Sequence, residues 1–162
     1  MLKWVGVWLC LGVGIANAGS ATANLTVSTT VVASCSISAG TLTFPNYNTV
    51  TGTQVDGQGT LSVACSRGAT TSIQLGQGQN PTLSSTDAVP LRQMKNGTSY
   101  LGYTLYSDSS RLVPWGNTAL TGWVYVPATS AQTNVTVYGR VTASQDVPAG
   151  TYTDTVLATI TF

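Results

Sequence analysis

The sequence predicts an all-β fold, a single domain built as a two-sheet sandwich, and three observations predict it. No segment carries a sustained apolar repeat of the helical kind. Apolar and polar residues alternate instead, in short runs with the two-residue period of a strand. Between those runs fall Gly, Pro, Asn and Asp, the residues that turns demand.

The first eighteen residues stand apart. Lys3 gives a positive start, Trp4 to Ile15 form a short apolar run, and Ala16-Asn17-Ala18 places small residues where a signal peptidase reads. Met1–Ala18 is therefore expected to be an export signal; a retained anchor is the alternative, disfavoured because a span needs about 20 apolar residues. Cleavage after Ala18 leaves 162 − 18 = 144 residues, enough for one domain with a real core. Lys3 leaves with the signal, so five basic residues then balance five aspartates. Zero net charge excludes long-range steering toward nucleic acid or an anionic membrane. Charged residues are only 7% of the chain, against about 25% in ordinary soluble domains, so Thr, Ser, Asn and Gln do the solvating. Such a neutral coat tolerates close subunit packing, and it suits a secreted monomer equally well.

Gly19 to Ala33 reads as a long strand with one apolar edge, Ala21, Ala23, Leu25, Val27, Thr29 and Val31, and with mostly Ser, Thr and Asn on the other. Leu61, Val63 and Cys65 alternate with Thr60, Ser62 and Ala64. A strand around Leu91 to Met94 is joined to Tyr100–Tyr106 by the Asn96-Gly97 pair, a tight-hairpin signal. Val135, Val137, Gly139 and Val141 mark another strand, and Val147-Pro148-Ala149-Gly150 has the form of a type I turn. Thr151 to Phe162 closes the chain as a strand with Tyr152, Val156, Ala158, Ile160 and Phe162 on one face and Asp154 interrupting it. The two terminal strands either pair within one molecule, or the first is added to another molecule's sheet.

Cys10 departs with the signal, leaving Cys35 and Cys65 in an oxidising compartment, where one intramolecular disulfide is the expected outcome. Closing that loop stabilises the fold by about 3 to 4 kcal/mol on the chain-entropy account. A redox or metal pair is opposed by the wide spacing and by the absence of histidine.

The chemistry of an enzyme is missing. Without histidine no Ser-His-Asp or Cys-His site can be assembled, and no His-ligated metal. Five aspartates without a glutamate sit in no recognisable paired catalytic setting, and Asp56, Asp87, Asp108 and Asp146 have turn-like neighbours. Gly76-Gln77-Gly78-Gln79 lacks the lysine of a phosphate loop. No catalytic residue, cofactor or metal is expected. Trp115, Trp123, Tyr100, Tyr103 and Tyr106 fit core positions first, and a sugar-stacking surface second.

Several segments, in order, resemble the spore coat protein U domain, the fold of archaic (Csu-type) chaperone–usher pilus subunits. They are Ala33-Ser-Cys-Ser-Ile-Ser-Ala-Gly40 with Leu42, Phe44 and Tyr47, then Gly59-Thr-Leu-Ser-Val-Ala-Cys-Ser66 and Arg92-Gln-Met94. Leu101-Gly-Tyr-Thr-Leu-Tyr-Ser-Asp108, Trp115-Gly116, Val137-Tyr-Gly-Arg140 and Pro148-Ala-Gly-Thr-Tyr-Thr-Asp-Thr-Val156 complete the series. Pro45 departs from the Gly common in the family, which bears on a local turn. The resemblance implies an incomplete immunoglobulin-like sandwich that lacks its last strand and is completed by a donor strand from a neighbouring subunit or a chaperone. It implies three stretches: the signal 1–18, a donor strand 19–33, and a pilin sandwich 34–162. Ala21, Ala23, Leu25, Val27, Thr29 and Val31 would be the donor positions, and Val156, Ala158, Ile160 and Phe162 would face the acceptor groove or chaperone. The implied partners are copies of the chain or sister pilins, a periplasmic chaperone and an outer-membrane usher. The implied product is an extracellular surface pilus for attachment and biofilm formation, reached through the periplasm. A tip or adaptor adhesin, a protective coat protein and a secreted carbohydrate-binding module are the alternatives.

Overall fold

The computed structural model describes residues 18–162; the expected signal, with Cys10, lies outside the described residues except for Ala18. The chain divides into two units, Met1–Thr30 and Val31–Phe162. In the first, residues 18–30 form no strand, and Leu25 and Val27 are 87% and 84% exposed. The long strand expected over Gly19–Ala33 is therefore not formed. The physical reason is that a strand forms only through a ladder with a neighbouring strand, and alternation by itself does not supply one.

The second unit contains eight strands: β1 (Cys35–Ala39), β2 (Val55–Cys65), β3 (Thr71–Leu75), β4 (Arg92–Asn96), β5 (Ser99–Tyr106), β6 (Trp123–Tyr125), β7 (Thr133–Val141) and β8 (Ala158–Thr161). They make a five-stranded sheet in the order β1-β2-β7-β5-β4 and a three-stranded sheet in the order β6-β3-β8. All named pairings are antiparallel, the longest joining β2 to β7 from Val55 opposite Val141 to Val63 opposite Thr133. Alternation sets the burial: Leu61 and Val63 of β2, Ile73 and Leu75 of β3, Leu101, Tyr103 and Leu105 of β5, and Val135, Val137 and Val141 of β7 form the core with Trp115. Trp115 is 1% exposed and donates its indole N–H to the Ile73 carbonyl at 2.8 Å, which satisfies the polar edge of a fully buried ring. It is a core residue and presents no sugar-stacking face.

Two expectations shift in detail. The hairpin turn is Gly97-Thr98, because Asn96 pairs with Ser99. Gly97 takes a φ of 58° at the first central position, as a type II′ turn requires, so the glycine moves the loop one residue along from Asn96-Gly97. The final strand is shorter than Thr151–Phe162. Thr153 bridges Lys95 of β4, Leu157 accepts a bond from the Gly76 N–H, and the continuous ladder begins only at Ala158 against β3. This stretch crosses from the edge of one sheet to the edge of the other, so its first half has no unbroken partner.

Glycines shape the inner face near β1. A Cβ at Gly59 would lie 2.8 Å from the Leu42 side chain, and one at Gly139 would lie 2.8 Å from Phe44. Their absence of side chain lets Leu42 and Phe44 lie flat on the five-stranded sheet.

Candidate functional site

Between the β1 edge and the last strand runs an open groove. One wall is Ile37 and Ala39 of β1 followed by Leu42, Phe44 and Tyr47; the other is Tyr152, Asp154, Val156 and Ala158. Leu61, Leu75, Met94, Tyr103, Leu105 and Val137 floor its middle stretch, a cavity of about 450 Å³. Adjoining stretches of about 590 and 540 Å³ extend it toward Tyr47 and toward Gly76–Gln79. β1 and β8 are both edge strands of their sheets. The backbone N–H and C=O groups of Asp154 and Val156 find no partner among the described residues. Apolar side chains and unpaired backbone thus lie side by side, an arrangement that a further strand would satisfy on both counts.

A polar knot interrupts this apolar lining. Asp154 Oδ2 accepts from the Tyr103 hydroxyl at 2.7 Å, while Oδ1 accepts from the Gln79 N–H at 2.9 Å and Asn80 Nδ2 at 3.4 Å. Burial, with the Asp154 hydrogen bond adding to it, pushes the Tyr103 phenol well up, so it stays protonated and donating. Arg92 is 2% exposed yet touches no carboxylate; it donates to the carbonyls of Gly76 at 2.7 Å, Leu75 at 2.7 Å and Trp115 at 2.8 Å. Burial draws its pKa down to about 10, opposed by Tyr103 and Asp154, and leaves it charged at neutral pH. Arg92 therefore ties the end of β3 to the Trp115 segment behind the groove.

The sequence-derived residues fall as follows. Val156 and Ala158 line the groove. Ile160 pairs with Ile73 and packs against the core, and Phe162 is exposed beyond the end of β8. Cys35 and Cys65 form the disulfide, joining β1 to β2 where the two strands pair. Ala21 to Val31 lie in no strand, as given above. Sequence reasoning missed Leu42, Phe44 and Tyr152 as groove walls, and Arg92, Tyr103 and Asp154 as its polar knot. Alternation through Tyr152, Asp154 and Val156 carried part of that signal, whereas a buried arginine held by carbonyls leaves no mark in a sequence. Among the described residues there is no group of three or more side chains able to hold a metal ion.

On the solvent face of the five-stranded sheet, Asp56 accepts a two-pronged bond from Arg140 at 2.7 and 2.9 Å, and Arg111 Nη1 stands 3.4 Å away. The Arg140 hydrogen bonds, helped by the Arg111 charge, hold the Asp56 carboxyl below its ordinary range. This cluster braces the central β2–β7 pair from outside.

Two sheets, all antiparallel, with a groove in place of one edge strand define an incomplete immunoglobulin-like sandwich of the pilus-subunit kind. Residues 21–159 match the Spore Coat Protein U domain, and the chain belongs to that family. It is 48% identical over 158 residues to "Protein U" of Myxococcus xanthus, covering 91% of this chain and 88% of that one. Among solved structures it is similar to the CsuC–CsuE chaperone–tip adhesion subunit pre-assembly complex from archaic chaperone-usher Csu pili of Acinetobacter baumannii. That similarity has a TM-score of 0.58 at 25% identity, and covers 82% of this chain and 40% of that one.

Proposed function

We propose that the protein is an exported structural subunit that polymerises by donor-strand exchange into a chaperone–usher surface pilus serving attachment and biofilm formation. The observation that carries this is the groove itself: an apolar channel whose bordering segment, just before β8, leaves the backbone groups of Asp154 and Val156 unpaired among the described residues. The signal 1–18 would be removed on export, residues 19–33 would be the donor, and 34–162 the receiving sandwich. Ala21, Ala23, Leu25, Val27, Thr29 and Val31 are the donor positions in this reading, and Val156, Ala158, Ile160 and Phe162 the receiving strand.

Magnitudes support it. Burying Leu25, Val27 and Val31 contributes about 5 to 9 kcal/mol gross, at about 1.5 to 3 each. A new ladder along the open edge adds directional bonds and raises the barrier to loss, so a fibre persists kinetically without an energy source. Until the exchange, the exposed groove is an aggregation hazard, which gives a periplasmic chaperone its task and an outer-membrane usher the hand-over. Head-to-tail insertion is a heterologous contact that need not close, and it builds filaments.

A second reading, a subunit of a protective coat, is favoured by the 48% identity to "Protein U" over nearly the whole chain and by the family's name. It uses the same groove and differs in the final assembly. The first test expresses the exported protein with its chaperone, with and without residues 19–33, and runs both unboiled on a denaturing gel after chaperone release. The expected result is a ladder that collapses on boiling and is absent from the shortened chain. Monomers in both lanes would sink donor-strand polymerisation.

A further inference from the structure

We propose that Asp154 and Thr29 form a polar pair between neighbouring copies, and that this pair sets the register of the inserted segment. The inference rests on the polymerisation reading above and specifies its geometry. Each partner surface carries one polar interruption. In the inward-facing series Tyr152, Asp154, Val156, Ala158, Ile160, only Asp154 is polar. In the apolar series Ala21 to Val31, only Thr29 is. Asp154 lines the groove, and its three hydrogen bonds leave a carboxylate with about four acceptor sites able to take one more. An aliphatic donor residue placed there would bury that remaining acceptor site unpaired, whereas a threonine hydroxyl fills it.

Side-chain volume points to the same alignment independently. With Thr29 opposite Asp154 and the strands antiparallel, Leu25 meets Ala158 and Ala23 meets Ile160, a large residue against a small one each time. Val27 then meets Val156, and the apolar series covers the last strand to its end. The parallel alignment on the same polar pair sets Ala33, the segment's last residue, against Ala158, small against small, so that nothing of the segment reaches Ile160. Pairs directly opposite in a ladder bring their Cβ atoms to about 5 Å, within reach of a disulfide after small adjustment.

The test uses the full exported chain carrying paired cysteines, and reads boiled, non-reducing gels for ladders that reductant dissolves. Val27→Cys with Val156→Cys is expected to cross-link between copies. Val31→Cys with Val156→Cys, which the parallel alignment would join, is expected not to. Thr29→Val lies outside the folded sandwich and should leave folding intact. It is expected to lower the Val27/Val156 cross-link about tenfold relative to a slipped pair, Leu25→Cys with Val156→Cys, the ratio lost with one hydrogen bond to a charged group. Cross-linking through the parallel pair, an intramolecular Val27/Val156 bond in a monomer, or a register unmoved by Thr29→Val would each overturn the proposal. If the cysteine-free protein forms no unboiled ladder, the polymerisation reading fails and this register with it. A ladder with the wrong cross-link removes the register alone.

Discussion

Around Ile73, Val63 and Trp115 the sandwich excludes water almost completely, whereas beside the last strand Leu42, Phe44, Tyr152 and Val156 stay only partly covered. Both regions carry large apolar side chains at alternating positions, so hydrophobicity alone does not explain the difference. Partners do. Ile73 has Trp123 on one side and Ile160 on the other, each in a ladder. Val156 has its backbone unpaired. The contrast teaches that this fold is finished where each strand has two neighbours and unfinished where one is lacking, and that Arg92 stands at the boundary, bonded to carbonyls of the closed part while lying near the groove's Tyr103 and Asp154.

Substitution should separate the two regions. Arg92→Ala is expected to have the largest effect: it strips three carbonyls, two of them buried, of their donor and should cost about 3 to 5 kcal/mol in urea unfolding of the isolated subunit. A loss below about 1 kcal/mol would mean the closed part does not depend on that clamp. Leu25→Ala comes next and should act only on assembly. The side chain is exposed in the single chain, so the subunit's unfolding midpoint should not move, while assembled material should lose about 2 kcal/mol per junction, seen as a lower temperature for ladder collapse. Equal effects on both measurements would erase the distinction between the regions.

Asp56→Asn should be the smallest, under about 1 kcal/mol at neutral pH, since the ion pairs are partly exposed. Its sign is fixed by linkage. The Asp56 carboxyl is held below its ordinary value of 3.8, so its contribution is present above that value and is lost as pH falls through the lower folded-state one. An acid titration of unfolding stability should therefore be less steep in Asp56→Asn than in the parent below about pH 4.

Much of the fold was legible because alternation and turn residues are local. The period-2 runs at Leu61–Cys65 and Val135–Val141 name the two strands that pair at the sheet's centre, and Cys35 with Cys65 needed only compartment and count. What escaped was decided by non-local pairing. Gly19–Ala33 has a strand's pattern and no strand, since nothing within the sequence states whether a ladder partner is present. Thr151–Phe162 reads as one uniform strand, but its first half crosses between sheets. Asp154 was visible as a blemish in an apolar face; that it accepts from Tyr103 depends on β5 lying across the groove floor, which no local pattern encodes.

The disulfide joins the chain at Cys35, two residues past the end of the 19–33 segment, to Cys65 at the end of β2. In a fibre held through that segment, every pull on one subunit enters the next along residues 33 and 34. At Cys35 the load divides covalently into β2, whose nine paired positions with β7 run the length of the main sheet and are strained in shear. β1, bonded to β2 on one side only, is thereby spared from being peeled away bond by bond. The crosslink works as a tendon attachment, and a fibre lacking it should stretch before it parts.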